Sequence, residues 1–520
     1  MFETKVENPI LRGFNPDPNI LRVNETYYIV VSSFEWLPGA RVYESIDLVN
    51  WRHVTDLLHH QVDLTGNPIN GSIWAPQLSH ADDLFYFVYT DVKSVTRPFK
   101  DVHNYLMTAK DISGPWSAPI YLNSSGFDPS LFHDERTGKK WLVNEQWDYR
   151  LNTPNKSTGI VLQEYDLKKE MLTGPIYPIF SGTTLAKTEA PHIYFENGYY
   201  YLLTAEGGTG KGHSVIVCRS KKITGPYELD PHSPILTASD KPNSPLQCTG
   251  HGSLVQTKNG TWYMTYLCTR PLEGAAILGR ETAIQEVYWT KDHWLRLKGE
   301  KSTPQKEITI QTANETKQQM NHYFLDTFEH GISPKWNARR ILPSETWCET
   351  HSRLKHLRIY SGESLQSTFD HHLLAIRQTD FSFEATTALE YKPTNFNQMA
   401  GLVLYLNEEN YYYCYVTWDE KIGKCLRMIQ SIKGEVYLDP WIAPLFNRKT
   451  YLKIDVNNKN AQFYLKEIEN AQWKIVGTIK DMTTLSGGFT GNFVGISVHD
   501  LNKKRGSYAD FSFFEYKGKD

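Results

Sequence analysis

Short apolar runs rich in aromatic residues recur along the first 300 residues at a nearly constant interval. Each run has the length of a strand, and helix-period segments are few. The runs are "TYYIVVSS" from Thr26, "LFYFVYTD" from Leu84, "KWLVNEQW" from Lys140, "YYYLLTAEG" from Tyr199 and "WYMTYLC" from Trp262, with starts 56 to 63 residues apart. Turn-rich stretches such as "KDISGPW" and "KKITGPY" follow them. A strand-built repeat of this length is typical of propeller blades, so the pattern predicts a five-bladed β-propeller over residues 1–300.

A different pattern begins after the fifth run. Residues 301–322 are polar, and we interpret them as a linker. From residue 323 onwards apolar and polar residues alternate in runs such as "AGLVLYLNEENYYYCYVTW", separated by turn signals. This alternation predicts an antiparallel β-sandwich over residues 323–520, and therefore an all-β protein. A stabilising accessory role is the simplest interpretation, with a carbohydrate-binding module or a lid over the propeller mouth as alternatives.

Composition and charge restrict the classes of partner. The net charge of −3 and the pI near 6.7 favour neither nucleic acid nor an anionic membrane as a partner. The first residues, "MFETKVENPILRG", do not resemble a signal peptide, so we expect a cytoplasmic protein. The six cysteines form no CxxC pair, which indicates reduced thiols and neither a zinc site nor a disulfide framework.

The repeat also aligns a set of residues that precede the aromatic runs. Blade by blade, this position holds Asp17, Ala75, Asp128, Glu189 and His251. Taken alone, Asp17 in "NPDPN" is a turn signal, with two prolines that restrict the backbone. In a propeller, however, the innermost strand of each blade lines the central channel, so these side chains should converge. Buried charges need partners or a function, and the set therefore predicts an active site.

Three carboxyl groups on one axis fit the chemistry of glycoside hydrolysis. One carboxyl group protonates the leaving oxygen, and a second activates water or attacks the sugar directly. The acid must keep its proton near neutral pH, which requires burial or a nearby negative charge. We therefore predict Glu189, with the longest side chain, as the general acid and Asp17, held by prolines, as the general base. Asp128 then raises the pKa of the acid and orients it. These residues alone do not decide between inversion and retention.

Eight segments together resemble the β-xylosidases of glycoside hydrolase family 43. They are "GFNPDP", "SSFEWLPG", "WAPQLS", "GFDPSLFHD", "TEAPHIY", "YYLLTAEGGT", "GHGSLVQT" and "LGRETAIQ". The resemblance covers the whole chain, since those enzymes carry a C-terminal β-sandwich after a five-bladed propeller. It implies an exo-acting, inverting xylan 1,4-β-xylosidase that releases xylose from the non-reducing end of β-1,4-xylo-oligosaccharides. The family motifs give Asp17, Asp128 and Glu189 the same roles that their chemistry suggests.

The resemblance implies polar groups that assist the carboxyl set. Arg280 of "GRETA" would bind sugar hydroxyls in the pocket for the terminal sugar, and His251 of "GHGS" would support the carboxylates. No cofactor is required and no metal ligand is assigned, although a structural Ca²⁺ could lie in the channel near His251.

Aromatic residues complete the site that the resemblance implies. Phe34 of "SFEW" and Trp74 of "IWAP" would form apolar walls, with Trp147 of "NEQWDYR" near the leaving-group side. In "GGFTGNFVG", Phe489 would reach from the sandwich towards the active site. Such a residue would narrow the pocket and favour exo action on short substrates.

Other functions stay open at this point. Xylose and arabinofuranose present similar hydroxyl patterns, so an α-L-arabinofuranosidase side activity is left open. An arabinofuranoside- or arabinan-specific hydrolase of the same architecture is the main alternative. A non-catalytic sugar-binding propeller is more remote, because a lectin has no use for a protonated glutamate. The expected partner is a xylo-oligosaccharide, and a homo-oligomer is neither required nor excluded.

Overall fold

The structure is a computed structural model that describes residues 2–299 and 301–519. Five antiparallel sheets, each with four main strands, follow one another along the first part of the chain. Blade 1 contains Asn19–Val23, Thr26–Val30, Gly39–Ser45 and Arg52–Leu58, and blade 2 contains Ser72–Ala81, Leu84–Ser94, Asp101–Ala109 and Ile120–Asn123. Blade 3 contains Ser130–Asp134, Lys139–Trp147, Ser157–Asp166 and Met171–Phe180, and blade 5 contains Gln247–Gln256, Trp262–Thr269, Glu281–Trp289 and Leu295–Leu297. Blade 4 contains Glu189–Glu196, Tyr199–Glu206, Ser214–Ser220 and Glu228–Leu229, with Leu236–Thr237 beside its third strand. The predicted five-bladed β-propeller is confirmed.

The aromatic runs of the sequence are the second strands of the five blades. Successive side chains of a strand point to opposite faces, and a second strand lies between two neighbouring blades. In blade 2, Tyr86 and Val88 pack towards blade 3, while Phe85 and Phe87 pack towards blade 1. Burial on both faces therefore explains why these runs are apolar at consecutive positions.

The N-terminal segment lies against blade 5. Strand Phe2–Glu7 pairs with Glu307–Thr312, which lies within the predicted linker, residues 301–322. The Asn8 side chain donates to the carbonyl of Ile284 at 2.8 Å and accepts from its N–H at 2.9 Å. The chain thus returns to its N-terminus before it enters the second domain.

The second domain is a sandwich of two eight-stranded antiparallel sheets, as predicted. The outer sheet contains Tyr323–Asp326, Cys348–Glu349, Leu357–Tyr360, Phe383–Tyr391, Lys449–Asn457, Asn460–Lys466, Lys474–Asp481 and Tyr508–Gly518. The inner sheet contains Trp36–Leu37, Asn337–Arg339, Leu373–Arg377, Gln398–Asn407, Asn410–Asp419, Gly423–Ile432, Glu435–Pro444 and Phe493–Asp500. Among the described residues, the 3₁₀ turn Met482–Thr484 is the only helical element, and none forms a helix long and apolar enough to cross a membrane.

The inner sheet is apolar on both faces because it lies between the outer sheet and the propeller. Leu402 and Leu404 belong to the core of the sandwich. The alternate residues Val403 and Tyr405 pack instead in a cluster with propeller side chains such as Phe34. The alternation of one strand thus joins the two domains through a continuous apolar interface.

A short strand of the propeller extends the inner sheet directly. Trp36–Leu37 pairs with Asn337–Arg339, and the Trp36 ring stacks on Phe493 with 3.7 Å between ring centroids. The sandwich is therefore held to the propeller by backbone pairing as well as by side-chain packing.

Buried ion pairs fix the same junction. Arg339 donates to Glu35 at 3.1 Å and to Glu408 at 2.8 Å, and Arg340 also donates to Glu408. The two guanidinium groups hold the pKa of Glu408 down to about 2 despite its burial. Because an unpaired buried charge is costly, this network favours one placement of the sandwich on the propeller.

Candidate active site

A pocket of about 400 Å³ lies where the first strands of the blades begin. The structure brings every predicted site residue to its lining, namely Asp17, Asp128, Glu189, Arg280, His251, Phe34, Trp74, Trp147 and Phe489. The blades therefore converge as the repeat predicted, and one of the lining residues comes from the sandwich.

The inner strands share an unusual backbone conformation at the pocket. The left-handed residues are Asp17 (φ 54°), Ala75 (38°), Asp128 (54°), Ala190 (52°) and His251 (55°). Proline follows the first four of them. In blades 2, 4 and 5 the pairing register with the second strand shifts across this point, as at a β-bulge. Non-glycine residues rarely adopt positive φ, and such strain clusters at functional sites.

The predicted common register is wrong by one residue in blade 4. Ala190, not Glu189, occupies the position of Asp17 and Asp128. Glu189 lies one residue earlier, where blade 2 has Trp74. Both Glu189 and Trp74 still line the pocket, because the bulge after this position turns the start of the strand towards it. Residues from two successive positions of the repeat therefore line the pocket: the left-handed position and the one before it.

Asp17 is buried and fully partnered. Arg280 donates to its two carboxylate oxygens at 2.7 and 3.3 Å, and the Ser32 hydroxyl donates to Oδ2 at 2.6 Å. His251 Nδ1 lies 3.7 Å from Oδ1. Burial alone would raise the pKa of Asp17, but Arg280, then His251 and Ser32, outweigh it and hold the pKa below its ordinary value. Asp17 is therefore an anion across the neutral range.

Arg280 and His251 both act on Asp17. Arg280 also donates from Nε to the Phe489 carbonyl at 3.1 Å and from Nη1 to the Thr209 hydroxyl at 3.4 Å. Burial lowers the pKa of His251 to about 4, with Asp17 opposing and Arg280 adding to the shift. His251 is therefore neutral near pH 7, and Arg280 supplies the positive charge beside Asp17.

Asp128 and Glu189 line the same pocket as Asp17. Asp128 Oδ2 accepts a hydrogen bond of 3.0 Å from the N–H of Ala190, the residue after Glu189. Burial, then the charges of Glu189 and Asp17, raise the pKa of Asp128 well above its ordinary value. Burial also raises the pKa of Glu189 to about 7, with Asp17 adding to the shift and Lys100 opposing it. Two such interacting carboxyls retain a proton near neutral pH.

Aromatic rings form the apolar wall of the pocket. Phe34 lies 6.1 Å from Trp74 and 6.0 Å from Phe489 between ring centroids, and Trp74 lies 5.5 Å from Phe127. The Trp147 indole N–H donates to the Pro98 carbonyl at 2.8 Å, which ties blade 3 to the loop before the third strand of blade 2. Such rings suit the apolar faces of sugar rings.

The sandwich supplies Phe489 from a loop that approaches the propeller closely. The Phe489 N–H donates to Asn70 Oδ1 at 2.9 Å. A Cβ on Gly279, whose φ is +76°, would lie 2.6 Å from the Cα of Gly491. Only glycine fits this approach, which brings the sandwich loop beside Arg280.

Several lining residues were not predicted from the sequence. They include Lys100, Phe127, Lys187, His213 and the loop 207–212. Phe127 could have been found, since it precedes Asp128 as Trp74 precedes Ala75. The glycine-rich "GGTGKG" after a second strand was a further signal. Lys100 carried no pattern of its own.

A structural Ca²⁺ in the channel near His251 was an expectation from the sequence. Among the described residues, no group of three or more His, Cys, Asp or Glu side chains is arranged to hold a metal ion. The Ca²⁺ considered for the channel stays a prediction, and no chemical step is assigned to a metal.

An ionised carboxylate and a protonated carboxyl facing one aromatic-walled pocket are the pair that glycosidic bond hydrolysis requires. Fold and site together define a glycoside hydrolase. Residues 6–295 match the family model of glycosyl hydrolases family 43, and residues 325–517 match that of the beta xylosidase C-terminal concanavalin A-like domain. The chain belongs to glycosyl hydrolase family 43.

Three relatives illustrate the similarity over the full length. A Bacillus subtilis protein described as beta-xylosidase is 41% identical, with 99% of this chain and 100% of its own length aligned. Xylosidase/arabinosidase 43B of Humicola insolens is 43% identical over 99% and 98% of the two chains. The crystal structure of xylan beta-1,4-xylosidase from Bacillus halodurans C-125 superposes with a TM-score of 0.95 at 46% identity, covering 98% of this chain and all of that one.

Proposed function

We propose that this family 43 glycosidase releases xylose from the non-reducing end of β-1,4-xylo-oligosaccharides with inversion at the anomeric carbon. The observation that carries the proposal is that one pocket holds Asp17 against Arg280, which keeps its pKa low, together with Glu189, whose pKa burial raises to about 7. The names of the full-length relatives support the choice of xylose as the sugar.

Asp17 acts as the general base in this proposal. Its carboxylate accepts a proton from a water molecule, whose oxygen then bonds to the anomeric carbon. Arg280, Ser32 and the prolines beside Asp17 fix the carboxylate, so that it can aim one water at one carbon. The lowered pKa of Asp17 keeps its carboxylate ionised, but it also makes the carboxylate a weaker base.

Glu189 acts as the general acid. It transfers its proton to the glycosidic oxygen as the bond from that oxygen to the anomeric carbon breaks, so the leaving sugar departs as an alcohol. A pKa of about 7 keeps much of Glu189 protonated at neutral pH. Asp128 orients Glu189 through its hydrogen bond to the Ala190 N–H, and as a second carboxyl beside Glu189 it disfavours ionisation of both groups together.

Exo action follows from the closed side of the pocket. Phe489, Phe34 and Trp74 form a wall beside Asp17, and Phe489 is held there through Asn70 and Arg280. A terminal sugar fits against such a wall, whereas the middle of a long chain would collide with it. Lys100 and Trp147 line the other side, which we assign to the leaving group.

An α-L-arabinofuranosidase is the second candidate, since a relative at 43% identity is described as xylosidase/arabinosidase. Hydrolysis rates for 4-nitrophenyl β-xyloside and 4-nitrophenyl α-L-arabinofuranoside, measured with the same purified enzyme, separate the two. We expect the larger kcat/KM for the xyloside. A strong preference for the arabinofuranoside would overturn the first choice, and hydrolysis of neither would favour the sugar-binding propeller. A cytoplasmic location and a homo-oligomer stay predictions.

A further inference from the structure

Lys100 lies in an aromatic cage at the leaving-group side of the pocket. Its ammonium nitrogen is 4.0 Å from the centroid of the Trp147 ring, 4.2 Å from that of Phe127 and 5.1 Å from that of Trp74. The three rings come from blades 2 and 3, and all three residues line the pocket with Lys100. Faces of aromatic rings attract a cation at this range, so the cage holds Lys100 in place without neutralising its charge.

The charged groups around Lys100 leave it without an ion-pair partner. No carboxylate among the described residues lies within 4.0 Å of its nitrogen. Burial lowers the pKa of Lys100, with Glu145, Glu189 and Asp128 opposing the shift and Arg97 adding to it. Burial raises the pKa of Glu145 well above its ordinary value, so this fully buried carboxyl favours the neutral form. The field of Lys100 is therefore directed at the catalytic carboxyls.

Other cations near Glu189 are less available to it. Arg280 is engaged with both oxygens of Asp17. Lys187 is exposed, where water and salt screen its charge. Asp17 repels a negative charge on Glu189, and Asp128 and Glu189 disfavour each other's ionisation. Lys100 is half-buried among rings. Its charge lowers the pKa of Glu189 more than any other neighbouring group does, and so opposes the effect of burial.

We infer that Lys100 is a positioning residue that stabilises the Glu189 carboxylate once the proton of Glu189 has passed to the leaving oxygen. The inference rests on the proposed role of Glu189 as the general acid. Burial and two neighbouring carboxyls make Glu189 reluctant to release its proton, and Lys100 offsets part of that reluctance. Asp128 and Lys100 thus act in opposite directions on the same proton.

The test is the pH dependence of kcat/KM for xylobiose, whose leaving group needs a proton. Lys100→Met keeps an apolar side chain of similar length in the cage and removes the charge. We expect the alkaline limb to move to higher pH by about one unit, because Glu189 without its counter-charge holds its proton more tightly. Lys100→Arg keeps the charge and should restore the wild-type limb. A Lys100→Met enzyme that loses activity equally at every pH would contradict the inference, since loss of packing alone moves no titration.

Two matched variants control this experiment. Lys139→Met removes an exposed lysine of blade 3 that pairs with Glu164 outside the pocket lining, and its limb should stay in place. Glu145→Gln replaces a neutral carboxyl by a neutral amide, so the alkaline limb of this variant should also stay at the wild-type pH. A shift of the Glu145→Gln limb to lower pH would show that Glu145 is charged and shares Lys100, which would contradict the inference.

The inference and the proposed function fail separately. If Glu189→Gln hydrolyses xylobiose as the wild type does, the assignment of the acid is wrong and the inference falls with it. If Glu189→Gln is inactive and Lys100→Met keeps the wild-type limb, only the inference is wrong. Thermal unfolding of each variant shows whether the cage still folds.

Discussion

The two sides of the pocket treat the same functional group in opposite ways. Asp17 is buried and Glu189 is half-buried at the start of its strand, and burial would raise the pKa of each. Asp17 receives a guanidinium and a hydroxyl in hydrogen-bond contact. Glu189 lies near another carboxyl, Asp128, and its strongest cation, Lys100, contacts no carboxylate in the described parts of the chain.

The difference shows that direct contact with a cation decides how a carboxyl in this pocket is protonated. A bidentate guanidinium reverses the effect of burial on Asp17, whereas a cation at a distance only reduces it for Glu189. One pocket thereby holds a base that is always ionised and an acid that titrates near neutral pH.

Removal of the base should have the largest effect. Asp17→Ala should lower kcat/KM by at least about 10³-fold for every substrate, since the proposed base that activates the water is gone. Asp17→Asn, which keeps the shape beside Arg280, should be as inactive but more stable, because it leaves a hydrogen-bond acceptor for the guanidinium. Circular dichroism and thermal unfolding check the fold. An inactive variant that is also unfolded would return "NPDPN" to a purely structural role.

Removal of the acid should depend on the leaving group. Glu189→Ala should lower kcat/KM for xylobiose by about 10³-fold, but far less for 4-nitrophenyl β-xyloside, whose leaving group departs without a proton. Asp17→Ala should show no such difference between the two substrates. Equal losses for both substrates in Glu189→Ala would mean that Glu189 is not the acid.

Removal of the neighbouring carboxyl should move the titration of the acid. In the wild type, kcat/KM should fall as pH rises through about 7, where Glu189 loses its proton. On the acidic side it should fall only below the depressed pKa of Asp17. Asp128→Asn should move the alkaline limb to lower pH by about one unit, because Glu189 no longer interacts with a second titrating carboxyl. If the alkaline limb stays in place in Asp128→Asn, Asp128 does not control the pKa of Glu189.

Removal of the sandwich side chain should have the smallest effect of the four. Phe489→Ala opens the apolar wall next to Phe34 and Trp74 without touching a titrating group. We expect KM to rise by about tenfold with both limbs of the pH profile unchanged. A shifted limb would mean that Phe489 also controls the burial of Asp17 or Glu189.

Much of the fold was predictable because it follows from strand periodicity. Second strands buried on both faces give consecutive apolar residues, and their spacing gave the number of blades. The strand Trp36–Leu37 was not predictable as part of the sandwich, since two residues carry no period and their partner lies about three hundred residues away. The buried pairs of Arg339 with Glu35 and Glu408 depend on the same distant contact.

The site was predictable where a local motif fixes the backbone and not where distant elements meet. Asp17 and Asp128 are each followed by proline at a left-handed residue, and this local pattern is visible in the sequence. The prediction for Glu189 is one residue out of register. The left-handed position is Ala190, and the proline that follows it marks this position in the sequence. Lys100 gains its environment only when the rings of blades 2 and 3 close around it.

The most direct test of the two-sided pocket is proton NMR of the first sugar released from a β-xyloside. If Asp17 activates water while Glu189 protonates the leaving oxygen, the first product is α-xylose, and β-xylose appears only later by mutarotation. If β-xylose appears first, Asp17 attacks the sugar itself, and its assignment as a base that delivers water is wrong.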